Sequence, residues 1–149
     1  MKIVNYILCA LIVFSVTGCA NPINRVKYDK YYSWGVGAEQ NEKYEIAKEN
    51  YWRALVNARI GNLEPQYHAA SSYSLARMLG ILCDHENAEK LLLEAVKFDK
   101  ESNGPVHMSY TELARLKLDQ KKFDEAVSYY EQSLAIVDKK EFKDLGEGF

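Results

Sequence analysis

Gln120-Lys121-Lys122-Phe123-Asp124-Glu125-Ala126-Val127-Ser128-Tyr129-Tyr130-Glu131-Gln132-Ser133-Leu134 decides the fold of this chain of 149 residues. Phe123, Val127, Tyr130, Leu134 and then Val137 recur at steps of three and four, the period of an amphipathic α-helix that buries one stripe. Asp124 and Glu125 fall in its first turn, where negative charge suits the helix dipole. Within the stripe, aromatic and small residues alternate at fixed offsets: Phe123, Ala126, Tyr130, Ser133.

The same offsets recur twice upstream. Tyr44, Ala47, Tyr51 and Ala54 repeat them, and His85, Ala88, Leu92 and Ala95 keep both alanines while substituting leucine. The three alanines at 47, 88 and 126 lie 41 and 38 residues apart. Leu55 and Ala58 extend the first stripe, and Leu91 and Val96 the second. Before each stands another helical segment with a large residue followed by a small one: Trp34-Gly35, Leu75-Ala76, Leu113-Ala114. Leu79 and Leu82 continue the middle segment, and Leu116 and Leu118 the last. Gly61-Asn62 with Pro65, and Ser102-Asn103-Gly104-Pro105, mark breaks where one helix ends and the next begins. No stretch shows the two-residue alternation of strands. The chain is therefore predicted to be all-α, with about six helices in three pairs.

Leu113-Ala114 followed by residues 120–134 resembles the tetratricopeptide repeat family, and the resemblance spans residues 29–138. It implies an α-solenoid of about three helix pairs over residues 29–145, with a tail at 146–149. The repeats are longer than the usual unit of about 34 residues, and the proline that closes each unit is replaced by Arg59 and Lys100. The extra residues are assigned to the loop at 102–104 and to longer helices. Small residues let the helices of a pair approach, while aromatics or leucines fill the space between pairs. About three repeats are the minimum for stability, and the ends need caps. The last helix is expected to run through Phe142 and Leu145 to Gly146, with Lys139, Lys140 and Lys143 in its last turns. An uncapped tail open to a partner is the alternative.

The amino terminus has another character. Lys2 gives a positive start, residues 3–16 are almost wholly apolar, and small residues precede Cys19. That order predicts a secretory signal over residues 1–18. Its apolar run is shorter than the ~20 residues of a spanning helix. Val16-Thr17-Gly18-Cys19 resembles the lipobox of bacterial lipoproteins, with valine where leucine is more usual. The resemblance implies diacylglycerol on the Cys19 sulfur, cleavage after Gly18 and acylation of the new terminus. Ala20, where aspartate would retain such a protein at the inner membrane, implies lipid anchoring at the periplasmic face of the outer membrane. Residues 19–28 lack periodicity and read as a lipidated tether. An ordinary cleaved signal is the competing reading of Cys19.

Composition narrows the chemistry. Loss of residues 1–18 removes one of 19 Lys+Arg (Lys2) and none of 21 Asp+Glu, leaving a charge of −3. That mild, mixed charge does not indicate nucleic-acid binding. Cys9 leaves with the signal and Cys19 is expected to be acylated, so only Cys83 remains, with no internal disulfide. Following Ile81-Leu82, Cys83 reads as a buried structural thiol.

No nucleotide loop, nucleophile elbow or zinc-protease helix is present. Neither a catalytic group nor a cofactor is expected. His68 and His107 occupy similar places on successive first helices, which leaves open a hydrolase or a small-ligand or metal protein, although a metal site wants three or four ligands. Glu112 and Asp119 share a helix face and read as solvated charges. The family resemblance implies a groove lined by the first helix of each pair, here with Tyr32, Tyr73 and Thr111 in one row and Val36, Arg77 and Arg115 in the next. The paired arginines suit a carboxylate, or else pair with Glu112, Glu89 or solvent. The asparagine and lysine set of clamps for chaperone tails is missing. The expected role is a non-enzymatic adaptor in envelope assembly, serving pilus or secretin, outer-membrane protein biogenesis or cell-wall enzyme regulation. Its partner would be another envelope protein or peptide segment. A third reading is a self-assembling subunit, a homo-oligomer through Phe142, Leu145 and Phe149 of the C-terminal helix.

Overall fold

The structure, a computed structural model, describes residues 21–146, with side chains as far as Asp138. The signal segment, Cys19 and Phe149 lie outside the described residues, as do the side chains of Phe142 and Leu145. Six helices fill the span: α1 Pro22–Gln40, α2 Tyr44–Ile60, α3 Pro65–Ile81, α4 His85–Ser102, α5 Val106–Asp119 and α6 Phe123–Gly146. The described residues contain no strand. Packing is tightest within α1–α2, α3–α4 and α5–α6, and α2–α3 and α4–α5 join the pairs. The architecture is an all-α solenoid of three helix pairs.

Every turn uses one device. A non-glycine residue takes a left-handed backbone with positive φ after each of the first five helices: Glu42, Asn62, Cys83, Asn103 and Lys121. The next N–H then reaches back five residues, as in Lys43 to the Ala38 carbonyl, Asp84 to Leu79 and Lys122 to Lys117, at 2.9–3.0 Å. This closes the last carbonyls of the helix and reverses the chain within about three residues. Such a cap position points outward, and it corrects the expectation for Cys83. The thiol is exposed, not buried.

The core follows the stripes of the first two repeats. Ala47, Tyr51 and Leu55 of α2 pack with Leu75 and Met78 of α3. Ala88, Leu92 and Val96 of α4 pack with Tyr110, Leu113 and Leu116 of α5. The small residue of the first pair decides how closely α1 approaches α2. A Cβ on Gly35 would stand 2.7 Å from the ring of Tyr51, a buried side chain whose hydroxyl donates to Glu39 at 2.7 Å. Lys117, only 3% exposed, ties three helices by pairing with Glu89 of α4 and Glu125 of α6, both at 2.8 Å.

Three further expectations are overturned. The segment at 19–28 is not a tether throughout, because α1 begins at Pro22. Asn21 caps it by accepting from the Ile23 N–H at 3.0 Å, and Tyr28 is buried between Ala54, Ala58 and Leu63. The stripe Phe123, Val127, Tyr130, Leu134 is exposed. Instead, α6 turns Ala126 and Ser133 inward, with Tyr129 and Ile136 against the core. Leu118 is also exposed. These residues sit where the next pair would pack, and no further pair follows α6 among the described residues.

Candidate partner-binding groove

The first helices α1, α3 and α5 line one face of the stack and are tied to one another by side chains. The Tyr32 hydroxyl meets Ser74 Oγ at 3.1 Å. Arg77 bridges Glu39 of α1 at 2.8 Å and Glu112 of α5 at 3.8 Å. Arg115 pairs with the same Glu112 at 2.9 Å and with Asp119 at 3.2 Å. Glu112 is therefore no solvated charge: its side chain is largely covered, and two guanidiniums share it. Thr111 donates to the His107 carbonyl at 3.0 Å and meets Ser133 Oγ of α6 at 2.9 Å. Tyr32, Tyr73, Arg77, Thr111 and Arg115 all lie on first helices, but only Tyr73 has no hydrogen-bonding or ionic commitment there. Val36 packs beside Tyr51.

A cavity of about 340 Å³ opens beside this ladder, walled by Tyr32, Tyr73 and Met108 and floored by Asp99, Ser102 and Ser109. Asp99 is 7% exposed. Burial raises its carboxyl above the ordinary range, while nearby His107 and Ser109 draw it partly back. Ser109 is fully buried, and its Oγ has no partner in full hydrogen-bonding geometry. Gly104 makes room: a Cβ there would stand 2.3 Å from Asp99 Oδ1. Sequence reasoning missed this floor. The available signal was an acid in the last turn of α4, where negative charge opposes the helix dipole.

A larger hollow of about 590 Å³ lies on the opposite face between α2 and α4, lined by Trp52, Leu55, Leu79 and Leu91. Arg59 spans that face to Glu94 at 2.7 Å. Its lining carries no buried polar atom in want of a partner, so the smaller cavity is the stronger candidate.

The helix-pair geometry and the groove agree with the comparison by sequence: residues 67–139 match the tetratricopeptide repeat family. The chain is a tetratricopeptide repeat protein. No curated protein and no solved structure matches it. The first pair, α1–α2, lies outside the matched residues, yet it places Tyr51 and Leu55 against α3 as α4 places Leu92 and Val96 against α5. Tetratricopeptide repeats bind other proteins and are generally non-catalytic scaffolds, which makes the protein a protein–protein interaction adaptor.

His68, one of the two histidines of the competing reading, is packed into the fold. The His68 ring stacks on Phe98 at 4.7 Å, and its Nε2 meets the Leu63 carbonyl at 3.1 Å. Among the described residues no group of three or more His, Cys, Asp or Glu could hold a metal ion. Burial lowers the His68 pKa below its ordinary 6.5, because Nδ1 is buried without a partner and protonating it would place a charge there. The folded state thus binds fewer protons than the unfolded chain near that pH. Stability should be full above about 6.5 and decline as pH falls toward the lower folded pKa. Melting temperature followed from pH 7.5 to 5 should show this slope, and His68→Gln should flatten it.

Proposed function

We propose that this adaptor is held at the periplasmic face of the outer membrane by acyl chains on Cys19, and that its groove receives an extended segment carrying a lysine or arginine. The observation that carries the ligand class is the cavity floor, a nearly buried Asp99 beside Ser109 under tyrosine walls. Both arginines of the groove already face Glu39, Glu112 and Asp119, so Asp99 is the charge left to a partner. A cationic side chain entering the cavity gains a charge-assisted hydrogen bond and the faces of Tyr32 and Tyr73. The lipobox-like Val16-Thr17-Gly18-Cys19 and Ala20 support the location. A binding-repeat domain on a lipid anchor suits an accessory factor in envelope assembly, such as pilus or secretin, outer-membrane protein biogenesis or cell-wall enzyme regulation.

Two measurements test this. Intact mass of the protein recovered from membranes should show an acylated Cys19, and Cys19→Ser should release it; an unmodified terminus elsewhere ends the anchoring reading. For the groove, crosslinking and pull-down should lose a specific partner in Asp99→Asn, and lysine-bearing peptides should bind the variant about tenfold more weakly. Circular dichroism and melting temperature should match or exceed the wild type. Because the folded pKa of Asp99 is raised, its ionisation costs stability as pH rises through and above the ordinary carboxylate range, and the asparagine escapes that cost. Unchanged partners and affinities would place binding elsewhere.

A further inference from the structure

The two ends of the solenoid carry the unused halves of its internal joints. Inside, Leu75 of α3 packs with Tyr51 and Leu55 of α2, and Tyr110 and Leu113 of α5 pack with Leu92 and Val96 of α4. Stepping by the repeat spacings of 41 and 38 residues places Tyr31 and Trp34 of α1 where Tyr110 and Leu113 stand on α5. The same step places Tyr130 and Leu134 of α6 where Tyr51 and Leu55 stand on α2. Trp34 is 53% exposed, Tyr130 38% and Leu134 60%. Terminal repeats ordinarily present polar outer faces; here both are apolar.

We propose that these faces are filled by a second copy of this chain, the α1 face of one molecule docking on the α6 face of the next, so that the solenoid continues across molecules. The remaining joint positions fit this occupant. The internal pair Glu39–Arg77 becomes Leu118 facing Val36 of the second copy. Glu89–Lys117 becomes Val127 facing Ala38. Arg59–Glu94, which links α2 to α4, becomes Asp138 facing Arg53, with its signs exchanged. Two ion pairs are thus replaced by apolar pairs, an exchange that buried joints accept, and the third stays complementary. Leu118 and Val127 are themselves exposed in the single chain. A head-to-tail joint uses different patches on the two partners, so it does not close on a dimer and growth continues with concentration. This inference does not rest on the groove reading, since neither end face includes Asp99 or Tyr73.

Sedimentation velocity of the full-length protein over about 1–100 μM tests it. The wild type should grow past dimer as concentration rises. Trp34→Glu blocks the α1 face and Leu134→Glu the α6 face. Both sites are exposed, so each variant should keep the wild-type circular dichroism and melting temperature. Each alone should associate at least tenfold more weakly than wild type, while an equimolar mixture should form a 1:1 dimer and nothing larger, since one free face of each kind remains. Three results would overturn the proposal. A wild type monomeric at every concentration leaves the ends to an unlike partner. Dimers of Trp34→Glu alone indicate an α6-to-α6 pair. Association unchanged in both variants places the joint elsewhere.

Discussion

Leu113→Ala is expected to lower the unfolding free energy by about 2–5 kcal/mol, the range for deleting a fully buried leucine side chain that the surroundings cannot refill. Leu113 is fully buried on α5, between Leu92 and Val96 of α4 and Ala76 of α3. That is a large part of the roughly 5–15 kcal/mol that holds a domain folded, so the variant should melt many degrees lower. Leu134→Ala provides the control. It removes the same atoms from an exposed site on α6 and should change stability by no more than about 0.5 kcal/mol in dilute solution. Urea titrations of both variants at about 1 μM measure the difference. Equal losses would mean that the α6 stripe is covered within the single chain.

The second large effect is expected from Gly35→Val. The added Cβ alone would lie 2.7 Å from two ring carbons of Tyr51, before the branched methyls are counted. Tyr51 cannot retreat. Its ring is wedged against Ala47, Leu55 and Leu75, its hydroxyl is held by Glu39, and burial together with that carboxylate keeps the phenol protonated far above its ordinary range. Overpacking a filled core costs about 1–3 kcal/mol, and here the α1–α2 pair must also separate. Gly37→Val, on the same helix with open space around its position, should be neutral or slightly stabilising, because glycine is the poorer helix former of the two. Melting temperatures of the two variants should therefore diverge by several degrees, and matching values would move the α1–α2 contact away from Gly35.

The start of α1 shows why periodicity alone placed the first helix too late. Between Pro22 and Tyr28 only Ile23, Val26 and Tyr28 are apolar, and two of the three face solvent, so no stripe marks the segment. The helix forms there because Asn21 caps it and because Tyr28 reaches Tyr32 and Tyr67, with ring centroids 5.5 and 5.1 Å apart. Tyr67 is far off in sequence. Cys83 shows the converse error. Its apolar neighbours implied burial, but its backbone turns left-handed to cap α3, which sends the side chain outward.

By itself the sequence determined the six helices, their pairing and the repeat spacing, because helical period, small-residue offsets and turn signals are local and survive without knowledge of neighbours. It also named the first-helix residues Tyr32, Tyr73, Arg77, Thr111 and Arg115. Only the tertiary structure decided which of three equivalent stripes is buried. Tyr51, Leu92 and Tyr130 occupy the same repeat position, yet Tyr130 is exposed, since burial depends on a following helix pair being there to cover it. The tertiary structure likewise decided that Arg77 and Arg115 face Glu39, Glu112 and Asp119, and that Asp99 floors a cavity. Charge pairing across helices depends on distances between residues as many as 38 positions apart, and a linear chain does not contain those distances.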